Sequence, residues 1–221
     1  VNAGDKEWGG KMLTDLLDAV DWVAKQGIAQ ADKVAIMGAS YGGYAVLSAL
    51  TFAPEVFCCG VDIVGVSNLE TFQSTIPPYW KSFIEVLARR VGDPRTEEGR
   101  AFLRSRSPVH FASRIKRPLL IAQGANDPRV VQAESDQVIA AMRTNGLPVT
   151  YVLYPDEGHG FAVPENNKAF VAIAELFLGK QLGFEPEPVG DDFQGASFSV
   201  PEGAAHVPGL AAALAKRPPR P

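Results

Sequence analysis

The sequence is poor in the residues that build metal centres and disulfide frameworks. Its 221 residues include two cysteines, three histidines and three methionines. Cys58 and Cys59 are adjacent, and neighbouring strand side chains point to opposite faces, so we expect two buried thiols rather than a disulfide. No additional histidine or cysteine lies near them to complete a set of metal ligands. We therefore expect no metal and no other cofactor.

The sequence also lacks the charge pattern and the apolar length that nucleic-acid or membrane binding needs. Its 21 Lys and Arg residues nearly balance its 25 Asp and Glu residues, and the net charge is −4. There is no basic run longer than a few residues, and no apolar stretch long enough to span a bilayer. We expect neither nucleic acid nor a membrane as a partner. The chain starts with Val1 rather than Met, so the lack of a signal peptide leaves its localisation open.

Apolar runs alternate with helical patterns along most of the chain, which predicts an α/β fold. Apolar residues make up 46% of the sequence, as in a globular protein with a core. Continuous apolar runs are typical of parallel strands covered by helices on both faces, here in simple sequential order. The four predicted strands are 33–37, 58–64, 118–123 and 149–154.

Helical spacing and capping residues predict the segments that cover this sheet. The predicted helices are 11–25, 42–53, 81–91, 96–104, 133–145 and 166–178, and residues 66–80 are predicted as a loop. After Gly183 the composition changes to a Pro-rich segment that ends in Arg-Pro-Pro-Arg-Pro. We therefore divide the chain into an α/β domain, 1–183, and a Pro-rich C-terminal tail, 184–221, laid over it and loosely ordered at its tip.

Ser40 is the candidate nucleophile, because it lies in a Gly-x-Ser-x-Gly turn between a predicted strand and a predicted helix. A serine forced into a strained turn presents its Oγ clear of the backbone, and the following helix aims its first N–H groups at charge developing there. Gly38 and Gly42 lack a Cβ, so strand and helix can close up around the turn. An ordinary glycine-rich turn is the alternative interpretation.

A serine nucleophile needs a base and an orienting acid, and in this class of fold they follow in the order acid, then histidine. Among the three histidines, His159 follows the fourth predicted strand and is the expected base, whereas His110 and His206 lie between helices and in the tail. Asp127 directly follows the third predicted strand and is the expected acid. A turn aspartate is the alternative at this position, and Asp156 and Glu157 are the alternative acids.

Three segments and a shorter one ahead of them carry a family resemblance. They are Gly38-Ala39-Ser40-Tyr41-Gly42-Gly43-Tyr44, Gly124-Ala125-Asn126-Asp127-Pro128-Arg129-Val130, Glu157-Gly158-His159-Gly160-Phe161 and, before these, Trp8-Gly9-Gly10. Together they resemble the catalytic domain of the prolyl oligopeptidase family of serine peptidases, and above all its acylaminoacyl and dipeptidyl peptidases. The resemblance covers residues 1 to 182.

The resemblance implies an α/β-hydrolase that cleaves oligopeptide or acyl-aminoacyl substrates through an acyl-enzyme. In that family's mechanism Ser40 attacks, His159 moves the proton and Asp127 holds its tautomer, with the backbone N–H of Tyr41 as an oxyanion donor. Arg129 resembles a contact to the substrate backbone, or is a surface arginine. The residues matching the pocket for the residue before the cut are Val66, Leu69, Phe72 and Val130, with Tyr79 and Trp80 either closing it or packing in the core.

The sequence departs from the family pattern at its beginning. Family members carry an N-terminal β-propeller and eight sheet strands, so we expect a partial, N-terminally truncated hydrolase domain. A tyrosine that supplies the second oxyanion donor in the family would precede Val1. We also expect the first strand to have an unpaired edge, where a second copy or the missing N-terminal segment associates. A carboxylesterase with the same triad, or a weakly active or inactive fragment acting as a binding subunit, remains the alternative.

Overall fold

The computed structural model of the chain describes residues 2–217, and its centre is a twisted five-stranded sheet. The strands are β1 (Ala35–Ala39), β2 (Cys59–Ile63), β3 (Leu119–Gly124), β4 (Val149–Tyr154) and β5 (Ser199–Glu202). The first four run parallel in the order β1-β2-β3-β4, which confirms the predicted sequential order, and β5 pairs antiparallel with β4. The carboxyl ends of the parallel strands therefore meet at one rim of the sheet.

The count of four strands was wrong, because β5 lies within the segment predicted as a tail. Its sequence, Ser-Val-Pro-Glu, contains a proline and a single large apolar residue. Proline cannot donate to a ladder, but it is tolerated on an edge strand, where β5 is found. Short edge strands of this kind give no periodic signal, so only their pairing partner identifies them.

Eight α-helices are present in residues 2–217. They are α1 (Lys11–Lys25), α2 (Tyr41–Phe52), α3 (Leu69–Ser74), α4 (Ile84–Arg90), α5 (Glu97–Ser105), α6 (Ala133–Thr144), α7 (Pro164–Leu182) and α8 (Leu210–Lys216). Six match predicted helices within a few residues. The loop predicted over 66–80 was wrong, because α3 forms there with the side chain of Asn68 as its N-cap acceptor.

The sheet is covered on both faces, as the continuous apolar runs predict. Alternate strand residues enter separate buried clusters: Leu120 and Val152 pack on the face covered by α7, whereas Ile121 and Tyr151 face α2 and α6. Side chains alternate between the two faces of a strand, so one continuous apolar run supplies both clusters. This buried sheet gives the rim loops a rigid support.

The Pro-rich segment contributes to the core as well as to the surface. Phe193, Phe198, Val207 and Leu210 are buried in the cluster on the α7 face, and the ring of Phe198 lies 5.8 Å from that of Tyr154. The division at residue 183 stays a prediction. The predicted loose tip, residues 218–221, lies outside the described residues.

β1 forms the opposite edge of the sheet. Within residues 2–217 its outer side has no strand partner, and Met37 there is half exposed. Association along this edge remains a prediction. The helices of the same residues include none with the length and apolar character needed to cross a bilayer.

Candidate active site

Ser40 lies in a strained turn between β1 and α2, at the carboxyl end of the sheet. Its φ of 59° and ψ of −115° place it in a region that residues with a side chain rarely occupy. The Ser40 N–H donates to the carbonyl of Ile63 at 2.9 Å, which ties the turn to the end of β2. Its hydroxyl makes no capping bond to α2, so the Oγ is free to face the rim.

Close backbone approach shapes this turn, as expected. A Cβ on Gly38 would lie 2.6 Å from the carbonyl carbon of Gly42, so strand and helix do close up between these two glycines. A Cβ on Gly42 itself would meet nothing within 4 Å, so the contact requires glycine on the Gly38 side. Gly43 is the second tight position, because its Cβ would lie 2.3 Å from the Asp62 carboxyl and 2.5 Å from the Cα of Gly65.

The structure brings Ser40, His159 and Asp127 together although they are distant in the sequence. The His159 Nε2 lies 2.9 Å from the Ser40 Oγ, and the His159 Nδ1 lies 2.7 Å from the Asp127 Oδ2. The Asp127 side chain is fully buried and that of His159 is nearly so. With its proton on Nδ1, facing the carboxylate, the imidazole leaves Nε2 to accept the Ser40 hydroxyl proton.

The second oxygen of Asp127 organises its own loop. Asp127 Oδ1 accepts the N–H of Arg129 at 2.8 Å and the N–H of Val130 at 3.0 Å. Gln123 in β3 adds a contact, because its Nε2 donates to the Val130 carbonyl at 3.1 Å. The acid therefore faces His159 with one oxygen and fixes the loop that carries it with the other.

The His159 loop is built on the buried carboxylate of Glu157. Glu157 accepts the backbone N–H groups of Ala162 and Val163, both at 2.9 Å, and the side-chain N–H of Asn166 at 2.9 Å. Its own carbonyl accepts the N–H of Asn126 at 2.9 Å, which joins the loop to that of the acid. These contacts direct the Glu157 side chain away from the imidazole.

Asp156 and the other two histidines have different surroundings. Asp156 is exposed and its Oδ1 accepts from the side chains of Asn166 and Ser197. His110 is half-buried, with its Nε2 3.6 Å from Glu70, and its pKa is lowered mainly by burial. His206 lies in a short 3-10 helix, with its Nδ1 3.2 Å from the Val149 carbonyl. None of these groups shares the hydrogen bonds of Ser40 and Asp127.

The predicted pocket residues separate into a buried set and an exposed set. The buried set packs beside the elbow in one apolar cluster, which comprises Val66, Leu69, Phe72 and Val130, with the half-buried Trp80 against it. Tyr79 is 57% exposed and stands outside this cluster. Arg129 is also exposed, and its guanidinium lies 5.8 Å from the centre of the Trp80 ring. The structure thus brings five of the seven predicted substrate contacts together.

The proposed oxyanion donor lies at the start of α2. Tyr41 is the first residue of that helix, so its N–H belongs to the first-turn groups that have no acceptor inside the helix. The centre of the Tyr41 ring lies 4.6 Å from that of Trp8, with the planes tilted by 60°, and the Trp8 ring also lies 5.2 Å from that of Tyr44. The sequence interpretation gave Trp8 no role, although an aromatic residue beside two glycines was a usable signal.

Among residues 2–217, no group of three or more His, Cys, Asp or Glu side chains is placed to hold a metal ion. Cys59 is buried and Cys58 is half-buried, and their sulfur atoms lie 3.9 Å apart. The rim combines a serine hydroxyl, an imidazole, a buried carboxylate and a free helix N-terminus, which is an arrangement capable of acyl transfer.

The sequence profile of the prolyl oligopeptidase family matches residues 1–185. The chain is 64% identical over 213 residues to dipeptidyl aminopeptidase BIII of Pseudoxanthomonas mexicana, and the aligned region covers 96% of this chain and 31% of that protein. It is 55% identical over 188 residues to dipeptidyl peptidase family member 6 of Caenorhabditis elegans, covering 85% and 25%. The chain therefore spans about a quarter to a third of the length of these relatives.

Solved structures give the same fold. A puromycin-hydrolyzing peptidase of Mycobacterium tuberculosis superimposes with a TM-score of 0.73 at 30% identity, over 85% of this chain and 28% of that one. An acylaminoacyl peptidase of Pyrococcus horikoshii superimposes with a TM-score of 0.72 at 22% identity, over 87% and 32%. The sheet and its helices are thus part of an α/β-hydrolase domain.

Proposed function

The chain belongs to the prolyl oligopeptidase family of serine peptidases, and on that premise we propose that it cleaves short peptides through an acyl-enzyme on Ser40. The observation that carries this proposal is the continuous set of hydrogen bonds from Ser40 through His159 to Asp127. The two relatives named for dipeptide release support a substrate with two residues before the cut.

In the proposed reaction the Ser40 Oγ attacks the carbonyl carbon of the scissile bond. The hydroxyl proton passes to His159 Nε2, and Asp127 stabilises the imidazolium through its Nδ1–H. The Tyr41 N–H donates to the oxyanion. His159 then protonates the leaving amine, which departs and leaves an ester on Ser40. A water molecule, deprotonated by His159, hydrolyses this ester and regenerates the serine.

The apolar cluster beside Ser40 supports a preference for an apolar residue before the cut. Val66, Leu69, Phe72 and Val130 provide apolar contacts in that cluster. Burying an unpaired charge costs far more than apolar contact returns, so acidic or basic residues should be rejected there. Arg129, exposed beside Trp80, is proposed to contact the substrate backbone.

Two measurements on the full chain test the proposal. We expect a fluorophosphonate probe to label Ser40, identified by mass spectrometry, and dipeptidyl p-nitroanilides with Leu or Phe before the cut to be hydrolysed faster than those with Asp or Lys. Ser40→Ala should abolish labelling and lower kcat by at least about 10⁴-fold. The exposed Ser105→Ala serves as the matched control and should retain full activity.

The outcomes that oppose the proposal are distinct. Turnover retained by Ser40→Ala refutes the acyl-enzyme on this serine. Equal rates on Leu, Asp and Lys substrates refute the apolar pocket but not the triad. Cleavage of a p-nitrophenyl ester without cleavage of any p-nitroanilide identifies an esterase, and no labelling or turnover identifies a non-catalytic chain.

A further inference from the structure

Glu134 is a fully buried carboxylate that the proposed chemistry does not use. It lies in the first turn of α6, and its side chain faces α3, whose N-terminal residues are about 65 positions earlier in the sequence. Among the described residues no Lys or Arg lies within ion-pair distance of it. A buried carboxylate without a cation needs several hydrogen-bond donors, and here α3 supplies them.

The donors come from the N-terminal end of α3 and the residues before it. Glu134 Oε2 accepts the N–H of Ser67 at 2.9 Å, the N–H of Asn68 at 2.8 Å and the Ser67 hydroxyl at 3.0 Å. Its Oε1 accepts the hydroxyl of Thr71. Two of these donors are backbone groups, so the carboxylate fixes the position of the main chain and not only of side chains.

The helix held in this way forms one wall of the apolar cluster. Leu69 and Phe72 project from α3 into contact with Val66 and Val130. The N–H of Leu69 is satisfied by the Ser107 hydroxyl at 2.9 Å, so Glu134 is the acceptor for the two amides just before it. A displacement of α3 would move both of its pocket side chains together.

Glu134 also follows directly on the loop that carries Asp127. The segment 127–134 contains Asp127, then Val130 and then Glu134, and the Glu134 N–H donates to the Val131 carbonyl at 2.9 Å. One short segment therefore carries Asp127, one member of the apolar cluster and the carboxylate that holds α3.

We propose that Glu134 is a positioning residue, which holds α3 against the acid loop and so determines how well a large apolar side chain fits before the cut. This role rests on the proposed function. In Glu134→Gln the amide oxygen can still accept the N–H groups of Ser67 and Asn68, and the NH₂ can donate to the Thr71 hydroxyl. The bonds lose the negative charge that strengthens them, so α3 is held less firmly.

The test compares selectivity with intrinsic reactivity in the full chain. Dipeptidyl p-nitroanilides that share one first residue carry Ala, Leu or Phe before the cut. For Glu134→Gln we expect kcat/KM to fall by about 10- to 100-fold for Leu and Phe, mainly through KM, and by less than about 5-fold for Ala. The rate at which a small fluorophosphonate labels Ser40 should stay within about 3-fold of the wild-type rate, because that probe does not need the pocket.

Two further variants keep the test decisive. Thr71→Val removes one donor to Glu134 at nearly constant volume, and we expect the same change of selectivity at a smaller size, about 3- to 10-fold. It replaces Glu134→Gln if that variant does not fold. Glu98→Gln is the matched control, because Glu98 is likewise the second residue of its helix, α5, but is exposed. This control should leave both measurements unchanged.

Other results overturn the role. A uniform fall across Ala, Leu and Phe, accompanied by slower labelling, would show that Glu134 supports the fold rather than the pocket. Unchanged selectivity in both variants would show that α3 is fixed by other contacts. A wild-type chain that neither labels nor turns over fails the proposed function itself, and the positioning role falls with it.

Discussion

Two buried carboxyl groups lie beneath the two loops that carry Ser40 and His159, and they are held in opposite ways. Glu157, beneath the histidine loop, accepts three N–H groups at 2.9 Å. Asp62 in β2, beneath the elbow, is equally buried, and neither of its oxygens has a hydrogen-bond partner of normal geometry. A buried carboxyl group therefore stabilises the histidine loop, where its hydrogen bonds are satisfied, and destabilises the fold at the elbow, where they are not.

The elbow tolerates Asp62 because backbone sterics hold this turn. The Gly38 approach and the hydrogen bond from Ser40 to Ile63 fix it without help from the carboxyl. Burial raises the pKa of Asp62 from 3.8 to about 7, against the lowering effect of the Gly65 amide and with a further increase from the charge of Glu134. The histidine loop also has a close backbone approach, because a Cβ on Gly124 would lie 2.2 Å from the Gly158 carbonyl oxygen, but there the buried Glu157 carboxylate adds three hydrogen bonds of its own.

The largest effect is expected when the supporting carboxylate is lost. Glu157→Gln keeps the shape but leaves one or two buried N–H groups without an acceptor, which should lower the free energy of unfolding by about 2–4 kcal/mol. The loop that carries His159 then shifts, and a misplacement near 1 Å costs about 10²-fold in kcat. Chemical denaturation and p-nitroanilide kinetics measure the two effects.

Glu165→Gln is the matched control for that change. Glu165 lies in the first turn of α7, near the same loop, but is exposed. The free energy of unfolding of Glu165→Gln should stay within about 0.5 kcal/mol of that of the wild type. A Glu157→Gln variant with wild-type kcat would show that the histidine loop, like the elbow, is fixed by its backbone, and the contrast between the two carboxyls would disappear.

Replacement of Asp62, the carboxyl without hydrogen-bond partners, should raise the free energy of unfolding instead of lowering it. Asp62→Asn keeps the shape and removes the ionisation, so we expect it to stabilise the fold at pH 8 by roughly 1–3 kcal/mol. The folded-state pKa lies above the unfolded one, so the folded chain binds the extra proton between pH 3.8 and 7. The stability of the wild type therefore falls as the pH rises through this window.

The pH profile of unfolding distinguishes this explanation from a simple packing effect. The advantage of Asp62→Asn should be absent below about pH 4, grow up to pH 7 and remain constant above it. Unfolding by urea at pH 4, 6 and 8, for both proteins, measures it. An advantage that is the same at every pH would mean that ionisation of Asp62 does not contribute.

Local patterns in the sequence were enough to predict the parallel strands and the three side chains that the structure brings together at the rim. Each parallel strand is a continuous apolar run, and Asp127 and His159 each follow one of them directly, where the fold gathers its loops. β5 and α3 were missed because four and six residues give too little periodicity. Pairing with β4 defines β5, and that contact is not local.

The residues that hold the site in place were also missed, because their contacts are not local in the sequence. Glu134 bonds to Ser67, and a Cβ on Gly43 would meet Asp62, yet no short-range pattern connects either pair. The sequence showed Glu157 beside the histidine, but its three donors lie five to nine residues further on. A pattern can thus indicate which residues react, whereas the groups that hold them follow from the fold.

The smallest effect is expected at Asp156, directly before Glu157 and exposed. Asp156→Asn makes the same acid-to-amide change, but its Oδ1 can still accept from Asn166 and Ser197, and solvent surrounds the group. We therefore expect the free energy of unfolding to change by less than about 0.5 kcal/mol, and kcat to stay within about 2-fold of the wild-type value. A loss near 10²-fold in kcat, with stability unchanged, would mean that Asp156 orients His159 in solution in place of Asp127. Asp156 and Glu157 are neighbours in the sequence and differ in burial and in their hydrogen-bond donors. A small loss of stability and activity in Asp156→Asn, beside a large one in Glu157→Gln, would therefore show that the buried hydrogen bonds of Glu157 hold the loop in place.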